Sequence, residues 1–275
     1  MHRLKTIITL SIVLLIIIPY VSIGQSELKK YSYIVYLKTN KYDYYVGIGF
    51  FIKLNRDTYF ITAKHVVSIP ADTLYIVICD SCSGKNKIIS IDISNVSKNV
   101  DISFGDTDIY VHKVTDKSIK RVNSIEKYIP NYSKKFDFNK VENIVFYGSP
   151  KTINDQPFNL INTFPSIILT EASLIGSYDR IRYSPTLKKY DSINYWAKAI
   201  NNTFANKGDS GAPVFFKVGN KYYFGGMCIS GVQSYNVISI VRPDKLIQIV
   251  SEKGKRKKRI IKLRIQYMHI NKVLY

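Results

Sequence analysis

The chain has 275 residues, 46% of them hydrophobic and 22% charged, which excludes a disordered polymer and is enough for one large domain or two small ones. Its 14 glycines and 9 prolines exclude a collagen-like or low-complexity chain, and its three cysteines are too few for a disulfide scaffold. The formal net charge of +20 predicts attraction to anionic surfaces and carries no information about fold. The bias towards Ile, Lys, Asn and Tyr also fits an AT-rich coding sequence, which discounts part of that charge as a functional signal.

Residues 1–24 read MHRLKTIITLSIVLLIIIPYVSIG. Arg3 and Lys5 precede an apolar run, and Ser22 to Gly24 supply small residues at a peptidase site. The layout predicts a secretory signal peptide cleaved before Gln25. The alternative is an uncleaved anchor, but Pro19 interrupts the run short of the ~20 apolar residues a spanning helix needs. The expected location is therefore outside the cytoplasm, either secreted or in a periplasm or cell envelope, with no transmembrane anchor after cleavage.

Residues 25–252 are expected to form the folded domain. Short runs rich in Ile, Val, Tyr and Phe alternate with turn residues: 33–37, 44–54, 59–63, 74–79, 88–93, 109–114, 143–147, 166–169, 213–218, 222–229 and 237–241. Strands at this spacing, without βαβ alternation, predict an all-β barrel or sandwich. Cys79 and Cys82 form a CxxC pair that lacks the second pair structural zinc needs, so a local disulfide or two free thiols is expected. Cys228 lies in an apolar stretch and reads as a buried small hydrophobe. Residues 243–253 predict a helix, opened by Pro243-Asp244 and stopped at Gly254, with Leu246, Ile249 and Val250 on one face. Eight of the twelve residues from Lys253 to Arg264 are basic. The tail 254–275 reads as a solvated charge run or a loose contact with an anionic surface.

Three local patterns carry chemistry. In Thr62-Ala63-Lys64-His65 a strand delivers a histidine to a strand-to-loop junction, where its near-neutral pKa suits a proton shuttle. In Asp108-Ile109-Tyr110-Val111 an acid opens an apolar strand, which suits a carboxylate that orients an imidazole. Asp101, in Asp101-Ile102-Ser103-Phe104, is a rival for that role. In Gly208-Asp209-Ser210-Gly211, followed by the strand Pro213–Val218, flanking glycines allow a sharp turn that exposes the Ser210 hydroxyl. The amides of Gly208 and Ser210 are candidates to receive a developing oxyanion. A serine is a weak nucleophile until a base takes its proton, and the base works best when a third group orients it. His112 is given no role and stands as a fallback for His65.

Taken together, these patterns resemble the trypsin-like serine proteases of the chymotrypsin fold, in the style of bacterial exported members. Gly47-Ile48-Gly49-Phe50 and Thr62–His65 resemble the first strands and histidine motif, Asp108–Val111 the aspartate motif, and Gly208–Gly211 the nucleophile motif. Weaker matches are Tyr147–Pro150, Thr170–Gly176 and Gly225–Gly231. The resemblance implies two packed six-stranded antiparallel barrels, at roughly 30–125 and 135–242, followed by the C-terminal helix and basic tail. It implies catalysis by His65, Asp108 and Ser210 in the cleft between the barrels, with no metal or organic cofactor. The strand Gly226–Gly231 would line the substrate groove, with Ile229, Ser230 and Gly231 against an added polypeptide strand. No Ile-Val-Gly-Gly start follows residue 24, so Asp209 lacks the family's usual ion-pair partner. The residue six before Ser210 is Phe204, not an acid, which points to a small or apolar residue at the cleaved bond.

The sequence thus predicts an exported serine endopeptidase acting on a polypeptide substrate. Two alternatives stay open: a catalytically silent member of the fold that binds peptides, and a basic protein that binds an anionic polymer. The chain has no zinc-finger spacing and no RNA-recognition motif, and specific nucleic-acid binding is not expected.

Overall fold

The computed structural model describes residues 25–38, 43–54, 56–68, 71–79, 86–94, 108–115, 122–129, 136–148, 168–176, 182–184, 189–191, 194–200, 208–232 and 237–251. The expected signal peptide, Asp101, Cys82, Phe204 and the basic tail lie outside them.

The described chain is mainly β. Strands β1 (Tyr33–Lys38), β2 (Asp43–Leu54), β3 (Asp57–Thr62), β4 (Thr73–Cys79), β5 (Asn86–Asp92) and β6 (Tyr110–Val114) form one antiparallel sheet in the order β5-β4-β1-β2-β3-β6. Strands β7 (Asn143–Gly148), β8 (Ile168–Gly176), β11 (Asn194–Ala199), β12 (Pro213–Val218), β13 (Lys221–Val232) and β14 (Val237–Val241) close into a barrel in the order β11-β14-β13-β12-β7-β8. Between β8 and β11, β9 (Arg182–Ser184) and β10 (Lys189–Asp191) form a separate two-stranded hairpin. The expectation of two six-stranded antiparallel units holds, with one difference. The first unit is a half-barrel, because its edge strands β5 and β6 do not pair among the described residues. These edges still approach one another, since Asp92 at the end of β5 lies within electrostatic reach of Tyr110 and His112 on β6. The arrangement is consistent with the chymotrypsin-like fold.

Period-two patterning explains how the two units pack. In the barrel, Ile144, Phe146, Val214, Phe216, Ile238 and Ile240 point inward with Tyr195 and Ala197. The intervening Val145, Tyr147 and Phe215 point outward and join the core of the first sheet. Phe50 of β2 meets Phe224 of β13 with ring centroids 5.5 Å apart. Tyr31, Tyr128 and Phe215 form a second aromatic group at 5.2–6.3 Å. The C-terminal helix spans 243–251 and buries Leu246 and Val250 in the shared core. A 3₁₀ turn, Glu27–Tyr31, lays Leu28 and Tyr31 onto the same core, and Tyr147 donates its hydroxyl to the Gln25 carbonyl at 3.0 Å. No helix of the described residues is long and apolar enough to cross a membrane.

Burial holds several phenols in the neutral form. Desolvation pushes the Tyr110, Tyr128 and Tyr195 hydroxyls up to about 12, and that of Tyr33 higher still. Their ordinary value is 10.0, so below that pH both folded and unfolded chains keep the proton. Above it the unfolded chain ionises first, and stability is lost as pH rises towards the folded values. Denaturant midpoints should therefore hold steady up to pH about 10 and fall between about 10 and 12.

Candidate active site

His65 is delivered by the end of β3. Ala63 is extended at φ −68° and ψ 142°, and the chain then makes one helical turn, Lys64–Val67. Val66 and Val67 are buried and pin this turn to the core, which leaves His65 on its outer side with 36% of its side chain exposed. The histidine thus sits in a short helix, one step beyond the junction the sequence predicts.

Asp108 is placed by strand register. Strand β6 pairs with β3, with Thr62 opposite Tyr110, so continuing that register brings the residues before Tyr110 beside those after Thr62. One carboxylate oxygen of Asp108 accepts the His65 backbone N–H at 2.8 Å, and the other lies 2.5 Å from the ring Nδ1. The acid is only 11% exposed. An ionised carboxylate can only accept, so this contact places a proton on Nδ1 and leaves Nε2 as the basic ring atom when the imidazole is neutral. The two bonds fix both the backbone and the ring of one residue. His112, the fallback, lies on β6 with its Nδ1 3.4 Å from the Tyr110 hydroxyl. Asp101, the rival acid, is not among the described residues.

Ser210 sits in the turn between Gly208 and Ala212 that feeds β12. The turn requires glycine at Gly211, where φ is +91° and an added Cβ would come 1.9 Å from the Ile48 carbonyl. Gly208 also has a positive φ, +101°. The amides of Gly211 and Ala212 are spent on the Cys228 and Asp209 carbonyls, at 2.7 and 3.0 Å. They brace the turn, whose other amides are those of Gly208, Asp209 and Ser210. The side chain of Asp209 is buried, and its carboxylate lies so close to Gly148 that a Cβ there would come within 2.2 Å.

Two observations bring the Ser210 turn to the His65 sheet. The Ile48 N–H donates to the Ser210 carbonyl at 2.9 Å. A Cβ on Gly47 would meet that carbonyl at 2.8 Å and the Val66 side chain, next to His65, at 2.9 Å. The serine backbone and the histidine turn therefore flank one glycine. Ser210 Oγ itself donates to the Ile229 carbonyl at 3.2 Å. Ile229 falls at a register shift between β13 and β14, and such a bulge re-aims the backbone groups of the extra residue. Beyond it, Ser230 and Gly231 pair with Ser239 and Ile238 of β14. On the other side, the β12 ladder begins only at Pro213 opposite Met227, so the far edge of 230–232 faces no strand among the described residues.

Of the sequence-predicted residues, the structure brings together His65 and Asp108, and Ser210 and Ile229. Gly208, Ser230 and Gly231 lie on the same turn and strand as their neighbours here. Phe204 is outside the described residues. The sequence reading missed Ile48 and Thr62 as groups that meet the turn. Their signal was slight: small residues, Gly47 and Gly49, in the middle of a largely apolar strand. Cys228 is buried in the barrel and takes part in no disulfide among the described residues. No protein-family model matches the chain, and no curated protein matches it.

The carboxylate clamp has an energetic consequence. Removing the acceptor of a part-buried, charge-assisted bond to the His65 amide should cost about 1.5–3 kcal/mol. Asp108→Ala should accordingly lower unfolding free energy in denaturant, with faster exchange of the His65 amide proton.

Proposed function

We propose that the chain is an exported serine endopeptidase of the trypsin-like type. The observation that carries this reading is the double hold of Asp108 on His65, at 2.8 and 2.5 Å, on a turn that shares a contact glycine with the Ser210 backbone. In this mechanism the Ser210 hydroxyl leaves the Ile229 carbonyl by rotation about its Cα–Cβ bond and turns to His65 Nε2. The imidazole takes its proton as Oγ attacks the scissile carbonyl, and later gives a proton to the leaving amine. Asp108 holds the tautomer and offsets the charge of the imidazolium. The amides of Gly208 and Ser210 hold the oxyanion, a contribution of about 3–4 kcal/mol per donor in comparable sites.

The substrate is an extended polypeptide that adds as a strand along Ile229, Ser230 and Gly231. The edge at 230–232, which faces no strand among the described residues, supports this, since it follows the Ile229 carbonyl that the serine hydroxyl contacts. Phe204 points to a small or apolar side chain before the cleaved bond. Export is the reading of residues 1–24. The basic tail is a loose contact with an anionic surface.

A second reading, a silent fold that binds peptides, is favoured by one observation: the hydroxyl rests on a carbonyl and not on a nitrogen. A fluorophosphonate probe separates the two. The wild-type chain should label at Ser210 and cleave casein, while Ser210→Ala should fold normally and lose turnover by about 10⁴-fold or more. Folded wild-type protein that takes no label, or Ser210→Ala that cleaves at the wild-type rate, would overturn the peptidase reading.

A further inference from the structure

We propose that Thr62 is a positioning residue for the nucleophile turn, an inference that rests on the peptidase reading of Ser210. Thr62 is a polar residue with 0% exposure at the last position of β3. Its hydroxyl donates to the Ile48 carbonyl at 2.7 Å. The β2–β3 ladder reaches its end at Gly49 opposite Thr62. Past that point Ile48 gives its N–H to Ser210, at 2.9 Å, so the serine turn takes the place of the next strand residue. The Thr62 hydroxyl and the Ile48 carbonyl together form the wall against Gly211. An added Cβ there would stand 2.4 Å from the hydroxyl oxygen and 1.9 Å from the carbonyl oxygen.

Thr62 is also tied to the other two groups through the backbone. It precedes His65 by three positions and pairs directly with Tyr110, two positions after Asp108. One side chain therefore stands where the histidine strand, the aspartate strand and the serine turn meet. Valine has nearly the same shape but no donor. In Thr62→Val the buried Ile48 carbonyl loses this bond, and with it goes a restraint on the residue whose N–H, on the preceding peptide, holds Ser210. The substrate edge at Ile229 to Gly231 belongs to β13 and has its own ladder to β14. Loss of the hydroxyl thus moves the nucleophile relative to the bound peptide and leaves the peptide's seat in place.

The test compares the full-length wild-type chain with Thr62→Val and Thr62→Ser in peptide cleavage, and follows the Ile48 amide by hydrogen exchange. Thr62→Val should lower kcat by about 100-fold, the scale of a ~1 Å misplacement. Its KM should stay within about twofold, and Thr62→Ser should recover most of the loss. The Ile48 amide should exchange at least about tenfold faster in the valine variant than in the serine variant. A valine variant with wild-type kcat, or one whose KM rises while kcat holds, overturns the proposal. If Thr62→Val does not fold, exchange in the wild type decides: an Ile48 amide as labile as a surface amide overturns it, and one protected like the core supports it. If the wild-type chain neither cleaves peptides nor takes a fluorophosphonate, the peptidase reading fails on its own. Comparing Ile48 exchange in Thr62→Ser and Thr62→Val still decides what the hydroxyl holds.

Discussion

The arrangement depends on how one isoleucine joins two sheets. The backbone of Ile48 belongs to the half-barrel, yet its side chain is packed among the residues that fill the closed barrel. Its N–H holds the Ser210 carbonyl and its carbonyl is held by Thr62. Apolar burial supplies the driving force for docking but does not choose a register. The bond from the Ile48 N–H to Ser210 is directional and does choose one, while the Thr62 hydroxyl braces the same residue from within the half-barrel. Because Gly47 and Gly211 carry no side chains at the junction, the chains approach closely enough for those bonds to form.

The local geometry around His65 follows from a second constraint, the pairing of β3 with β6. The aspartate needs no long loop to reach the histidine, since ladder register sets it there and its two oxygens divide between backbone and ring. The hydroxyl of Ser210 is governed from the other side, by a bulged carbonyl of β13. The half-barrel thus sets the carboxylate–imidazole pair and, through Ile48, the Ser210 backbone, and the barrel sets the contact of the Ser210 hydroxyl.

Much of this was legible in the residues. Runs such as Tyr33–Lys38, Thr73–Cys79 and Val237–Val241 bury alternate or successive branched side chains, and their β character is plain. Strand β11 escaped notice because the buried Tyr195 and small Ala197 alternate with residues such as Lys198, and Asn194 opens it with a polar side chain. Strand β8 was read short because Glu171 and Ser173 alternate with its buried Thr170 and Ala172. That the first sheet stops at a half-barrel depends on how its edges pair, which no local pattern encodes. At the site, His65, Asp108 and the glycine-flanked Ser210 carry side-chain chemistry and announce themselves. Ile48 and Ile229 contribute through main-chain atoms, which every residue type possesses, so their identity gives no clue. Thr62 looks like any β-branched strand residue.

The division of labour between the sheets has a consequence for how such a chain fails. Each unit builds part of its share from internal bonds, the carboxylate–imidazole couple in one and the braced serine loop in the other, and the Ile48 N–H links the two. A polypeptide that completes both units but seats them a fraction of an ångström askew would keep its circular dichroism, its heat capacity of unfolding and its compact hydrodynamic radius. The defect would be invisible to every bulk probe of structure and would show only where atoms from opposite units must touch.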